Sequence, residues 1–263
     1  QFDKLFTSND CIKRTSEDYQ AVQSGGAIEN YDQENLIMTT GDFRQRNLAQ
    51  DKNSSFGKTL KINKNDGSYK VLTIGHRNPQ GLYNDNGIVI STEHGPRGGD
   101  EINIISRDNN YGWPISSYGE PYIYEKYDKD NYNYLKSHVE NGFKEPVYSF
   151  VPSIGISQLI KIPKKFNKFW KDDYLITSLN GASIYRTQID YKNNKMIFSE
   201  KIFISERIRD IIYIDDLNIV LPTFATASLV LLTLLVPWSS GANAVHGHDR
   251  QFISMFIWET RDE

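Results

Sequence analysis

Short apolar runs, broken by single polar positions and closed by Asn, Asp and Gly, recur along most of the chain. Residues 27–41, AIENYDQENLIMTTG, read as strand, polar turn, strand. KTLKIN (58–63) and YKVLTIG (69–75) flank NKNDGS, where Asp66-Gly67 is a strong hairpin signal. Further strands are predicted at 87–95, 100–106, 157–162, 173–179, 183–190, 196–205 and 209–214. Turns are predicted at 84–87, 108–110 and 192–195, all rich in Asn. Residues 118–142 carry Tyr, Asp, Lys and Asn without alternation and predict a long loop with at most one short helix. No long segment has a helical period. Many short, closely spaced strands mean an all-β fold: a barrel, a sandwich or a propeller. No repeat is crisp enough to choose among them.

At 263 residues the chain suits one large domain or two small ones. Its 38% hydrophobic and 24% charged content excludes wholesale disorder. With 30 basic against 33 acidic side chains, nothing favours a nucleic-acid partner. Cys11 is the single cysteine, so no intrachain disulfide can form, which leaves the compartment open.

The two ends differ from the body. The chain starts at Gln1, and no basic segment followed by an apolar run marks a signal peptide. All 19 lysines lie in residues 1–217, and the last 46 residues have none. Ile219 to Trp238 is a 20-residue uncharged run, long enough to cross a bilayer but carrying two prolines and no basic flank. Three readings compete: a membrane anchor, a buried pair of strands, or a foreign tail from a shifted reading frame or truncated gene. The expected division is therefore 1–217 and an atypical tail, 218–263. His246 and His248, in that tail, are expected to face solvent rather than a metal.

Three segments carry candidate chemistry. GHRNPQGL (75–82) ends a strand with a cation, an amide and a Pro-Gln-Gly turn. Arg77 offers a planar donor fork for a carboxylate or quinone oxygen, and Asn78 both donates and accepts. STEHGPRGGDEINII (91–105) runs from strand through a glycine-rich turn to Asp100 and Glu101. Outward carbonyls with carboxylates suit a hard cation such as calcium. ERIRDI (206–211) puts Arg207 and Arg209 on one strand face, where an anion between them would relieve their repulsion. Each segment alone also reads as a surface turn, a plain hairpin loop or a solvated face. NYGWP (110–114) reads as a rigid aromatic turn.

Taken in order, with GDFRQRNLAQ (41–50), FGKTLKIN (56–63) and VPSIGIS (151–157), these motifs resemble the glucose/sorbosone dehydrogenase family. These are soluble aldose sugar dehydrogenases dependent on pyrroloquinoline quinone (PQQ). The resemblance runs from about Ser24 to Leu217. It implies a six-bladed β-propeller, incomplete in this chain, with about four blades of roughly 40–50 residues each. Residues 218–263 are not expected to complete a regular blade.

The resemblance also implies roles. Arg77 and Asn78 would contact the quinone, as would Ser153, and Arg207 and Arg209 would hold its carboxylates. The carbonyls of Gly95 and Pro96 would bind the calcium ion on the cofactor. Glu101 and the Tyr111 carbonyl would serve a second calcium. Asp42 would orient a catalytic histidine that removes the sugar hydroxyl proton. Here the sequence departs from the family, because that position is Gln23, and an amide cannot accept a proton at neutral pH. A cofactor lysine of some members falls near Asn180 and is also missing. His76 and His94 lie in matching motifs and could supply a base.

The implied function is oxidation of an aldose at its anomeric hydroxyl to a lactone, with hydride passing to a calcium-bound quinone. The alternative is a weak or inactive propeller that binds calcium, a sugar or a protein partner. A propeller lactonase is disfavoured by the Arg77-Asn78 and Arg207-x-Arg209 pairs. The expected partner is a small aldose. Membrane contact is expected only through residues 219–238, if at all, and the family implies a periplasmic or secreted location.

Overall fold

The computed structural model describes residues 4–8, 10–12, 22–122 and 133–225, and the backbone of the strands at 229–234 and 253–258. These residues form four antiparallel sheets, each of four strands in sequence order. The first holds β1 (Gly25–Asn30), β2 (Asn35–Thr40), β3 (Lys58–Asn63) and β4 (Tyr69–Ile74). The second holds β5 (Pro79–Asp85), β6 (Ile88–Glu93), β7 (Asp100–Ile105) and β8 (Tyr148–Phe150). The third holds β9 (Ile156–Lys161), β10 (Tyr174–Ser178), β11 (Ser183–Asp190) and β12 (Lys195–Phe203). The fourth holds β13 (Ile208–Ile214), β14 (Ile219–Phe224), β15 (Leu229–Leu234) and β16 (Ile253–Trp258). The opening strands lie side by side, β1 by β5, β5 by β9 and β9 by β13. That is the arrangement of propeller blades around a shared axis. The blades built by the described residues form an arc and do not close into a ring.

Local chemistry explains the meanders. Asn86 (φ 51°) and Gly87 (φ 95°) join β5 to β6 in a two-residue left-handed turn that matches strand twist. The blades pack through apolar faces. Ile90, Ile102, Ile156, Leu159 and Ile176 fill the space between the second and third blades. Each such buried side chain contributes about 1.5–3 kcal/mol. An Asp85 carboxylate is buried there too, accepting from Lys161 Nζ (2.7 Å) and from the hydroxyls of Tyr174 and Tyr191 (both 2.8 Å).

Within residues 1–217 two strands were not expected. Residues 75–82 read as strand end and turn, yet β5 starts at Pro79 and is the innermost strand of its blade. Proline fits the first strand position, where its missing N–H is not needed. Gly81 is required there, because a Cβ would lie 2.2 Å from Thr92 Oγ1 and 2.6 Å from the Ser157 carbonyl. The other is β8, three residues long. The long loop does carry one short 3-10 turn, Val139–Asn141, while residues 123–132 lie outside the described residues.

Strand pairing continues past residue 217. β14 pairs with β13 and β15, and β15 pairs with β16, so the expectation that 218–263 adds no regular blade does not hold for the backbone. His246 and His248 lie outside the described residues. Among the described residues no helix is long and apolar enough to cross a membrane.

Candidate active site

The loop between β4 and β5 places Arg77 and Asn78 at the boundary of the first two blades. Gly75 (φ +80°) turns the chain there, and a Cβ on it would lie 2.2 Å from Asn110 Oδ1. Glu93, buried at the end of β6, organises the loop. One of its oxygens accepts the Arg77 and Asn78 N–H groups, and the other lies 2.9 Å from His76 Nδ1. His76 Nε2 meets Thr73 Oγ1 at 2.8 Å. His76 is thus fully buried with both ring nitrogens occupied, which removes it as a candidate base.

Arg77 lies 5.3 Å over the Trp113 ring and donates from Nη1 to the His94 carbonyl (3.2 Å). Its Nε is buried with no partner. Asn78 Oδ1 accepts from Gly25 N (3.1 Å) and Gln80 Nε2 (2.8 Å), and Gln80 Oε1 accepts from Arg209 Nη1 (2.9 Å). Hydrogen bonds therefore connect Arg77, Asn78 and Arg209 across a separation of more than a hundred residues. Arg207 and Arg209 are both exposed, on either side of buried Ile208. No hydrogen bond among the described residues joins the Arg207 side chain to this group.

Asp100 ties down the glycine-rich turn. Its buried carboxylate accepts from Gly95 N (3.1 Å), Ser153 Oγ (2.9 Å), Ile154 N (3.1 Å) and Ile156 N (2.9 Å). Asp100 is thereby committed to protein donors. Ser153 is drawn into the same knot and lies 3.4 Å from the Pro96 carbonyl. His94 Nδ1 is 3.9 Å from Asp100, and burial lowers the His94 pKa against the pull of that carboxylate.

Gly95, Pro96, Glu93, Glu101, Tyr111, Trp113 and His138 line one small cavity. Burial pushes the Glu101 carboxyl well above the usual range, and the Glu93 charge adds to the effect. Its neighbours are distant: Asn103 Nδ2 at 3.3 Å and His138 Nε2 at 3.6 Å. Asn103 Oδ1 and His138 Nδ1 are buried without partners. The Tyr111 ring stacks on His76 at 4.7 Å, and its hydroxyl donates to the Ile104 carbonyl (2.6 Å). Among the described residues no three His, Cys, Asp or Glu side chains gather to hold a metal, so a cation here would depend on backbone and amide oxygens as well.

Asp42 is fully buried and accepts from Trp113 Nε1 (2.7 Å) and Arg44 N (2.9 Å). The Gln23 amide orientation that satisfies its neighbours donates to Asp42 Oδ1 (2.7 Å) and accepts from Arg77 Nη2 (2.9 Å). Burial raises the Asp42 pKa, and the Arg77 charge opposes the rise. A carboxylate only accepts and a guanidinium only donates, so the bridge between them must do both. An amide does so, as would a neutral imidazole. Gln23 thus reproduces the hydrogen bonds of a histidine without its proton affinity. Asn180 lies apart from this bridge, its N–H bonded to the Ile154 carbonyl (3.0 Å). Residue patterns gave no warning of the roles of Glu93, His138 and Trp113, whose partners are remote in sequence.

A propeller arc with this cavity at the junction of two blades has clear relatives. The chain belongs to the glucose/sorbosone dehydrogenase family, whose model matches residues 3–229 and so extends past both ends of the motif-bearing region. It is 36% identical over 156 residues to quinoprotein glucose dehydrogenase B of Acinetobacter calcoaceticus, covering 46% of this chain and 32% of that protein. It is 29% identical over 174 residues to the aldose sugar dehydrogenase YliI of Escherichia coli, covering 57% and 46%. A solved glucose dehydrogenase superposes with a TM-score of 0.64 at 27% identity, covering 80% of this chain and 60% of that one. The chain spans less than half the length of both named relatives.

Proposed function

We propose that this chain forms the cofactor-bearing part of a PQQ-dependent aldose dehydrogenase that oxidises the anomeric hydroxyl to a lactone. The observation that carries the reading is Arg77. It is a buried guanidinium with an unpartnered Nε, facing the cavity that Gly95 and Pro96 line. Such an orphaned donor suits the oxygens of a quinone cofactor. Arg77, Asn78 and Ser153 would hold the quinone, and Arg207 and Arg209 its carboxylates. Ca²⁺ suits the carbonyls of Gly95 and Pro96, and a second ion suits Glu101 and the Tyr111 carbonyl beside the orphaned Asn103 Oδ1. When bound, the quinone would supply the hydride acceptor and the calcium a Lewis acid beside it. The chain's own residues would orient the sugar hydroxyl beside the Gln23–Arg77 bridge and keep Asp42 from water. Gln23 bears on rate, since it supplies no proton acceptor. A periplasmic or secreted location is part of the same proposal and follows from the family resemblance.

Titration of the purified chain with PQQ in calcium, followed by absorbance, tests the reading, with aldose-dependent dye reduction as the second readout. Saturable binding that Arg77→Met weakens about tenfold or more is expected. Equal binding by wild type and Arg77→Met would sink it.

A further inference from the structure

Lys58 is the first residue of β3, and its side chain is fully buried. Its Nζ donates to three backbone carbonyls, those of Leu48 (2.6 Å), Ala49 (3.0 Å) and Phe56 (2.5 Å). An ammonium has three donors, so all are used. The acceptors come from both ends of the loop 48–56, which the cation gathers together. The Ala49 carbonyl also accepts Gly75 N (2.9 Å), and the Gly75 carbonyl accepts Trp113 N (3.0 Å). The next residue, Gln50, donates to the Trp113 carbonyl (2.5 Å) and accepts from Asn110 Nδ2 (2.7 Å). A short run of hydrogen bonds therefore leads from Lys58 to Gly75, where the Arg77 loop turns, and to Trp113, whose indole holds Asp42.

We propose that Lys58 is a positioning residue for the site, an internal cation whose grip on three carbonyls sets Trp113 and the Arg77 loop. Its relevance to turnover rests on the function proposed above, but the positioning itself does not. The acids near Lys58 are Asp51 and, from the amino-terminal segment, Asp10, which also accepts from Ser54 Oγ (3.0 Å) on the same loop. Burial lowers the lysine to about 8 against their pull. Raising the pH through that value leaves a neutral amine with two donors for three carbonyls.

The test combines a cavity variant with chemical rescue. Lys58→Ala removes the atoms of one propylammonium ion and leaves three carbonyls without a donor. The readouts are the Trp113 indole N–H resonance, assigned through Trp113→Phe, and PQQ affinity. Lys58→Ala is expected to move the resonance and weaken PQQ binding about tenfold or more, with propylammonium restoring both. Lys58→Met fills the space without donors and is expected to show both losses without rescue; it carries the test if the alanine variant does not fold. The wild-type resonance is expected to titrate near pH 8 and that of Lys58→Met to stay flat. An unmoved resonance in both variants, or rescue by propanol equal to propylammonium, would overturn the proposal. Failure of wild type to bind PQQ would count against the proposed function alone, because the indole resonance still reads the positioning.

Discussion

Between the third and fourth blades, Ile160, Ile162, Trp170, Leu175, Ile184, Ile208 and Val220 form a buried apolar cluster. In the first two blades, Asp42, Lys58, His76, Arg77, Glu93, Asp100 and Glu101 are all buried within about sixty residues of sequence. Apolar contact has no direction and tolerates small shifts, so it can hold two blades together without fixing any atom closely. A hydrogen-bonded network does the reverse. Each group stays in place only while every partner does, and one orphaned member costs more than a made bond returns. The polar cluster therefore fixes atoms for chemistry, and the apolar junction sets the arc.

The contrast is tested most severely at Asp100. Asp100→Ala leaves the buried N–H groups of Gly95, Ile154 and Ile156 without acceptors. At about 1–3 kcal/mol for each orphaned donor, a loss of roughly 3–9 kcal/mol is expected, with the Gly95–Pro96 turn displaced. Urea unfolding measures the loss. A cost below about 1 kcal/mol would mean that water replaces the carboxylate, and the junction is not the closed network described.

The next effect is on rate. Gln23→His can keep the bond to Asp42 through one ring nitrogen, while the other, released from Arg77, adds a proton acceptor. General-base catalysis contributes about 10²–10⁴-fold, or roughly 3–5 kcal/mol of barrier. Dye reduction with aldoses should rise toward that range while PQQ affinity changes by less than about threefold. If wild type already turns over at about 10 per second, typical for enzymes, Gln23 does not stand where a base is needed.

At the apolar junction, Leu175→Ala should cost about 2–5 kcal/mol in urea unfolding. Unlike Asp100→Ala, it should leave the Trp113 indole resonance and PQQ affinity of the folded protein unchanged. A moved resonance would show that the two junctions are coupled through β9 and β5.

What the sequence revealed follows the same divide. Hairpins set by local turn chemistry, such as the one at Asp66-Gly67, could be read directly, and β11 falls on its predicted residues 183–190. β5 was hidden because Pro79 and Gly81 look like turn residues, and only the neighbouring strand explains why glycine is needed there. The candidate site was legible where a motif is short and continuous, as at Arg77 and Asn78. Asp100 read as a cation ligand, because the donors that occupy it lie at Gly95 and at 153–156, the latter more than fifty residues away. Lys58 gave no signal at all. A lysine that starts a strand looks like a solvated charge until the loop folds over it.

The smallest expected effect isolates that last point, because β3 holds two lysines three residues apart. Lys58 is enclosed by carbonyls, whereas Lys61 is part-exposed, 3.0 Å from Asp32 Oδ2 and 4.9 Å from the Tyr31 ring centre. Asn35 and Lys61 hold the Asp32 carboxyl down at about 2, so the carboxylate stays ionised through the neutral range. An exposed pair still gains little, since water and salt screen it and two long side chains must be ordered. Lys61→Ala should change stability by less than about 1 kcal/mol, with the difference shrinking as salt is raised. It should leave the Trp113 resonance where it is. The two variants remove the same charge from the same strand, so only burial and partners distinguish them. Should Lys61→Ala move that resonance as far as Lys58→Met does, the signal would report strand charge in general, and the special place given to Lys58 would be lost.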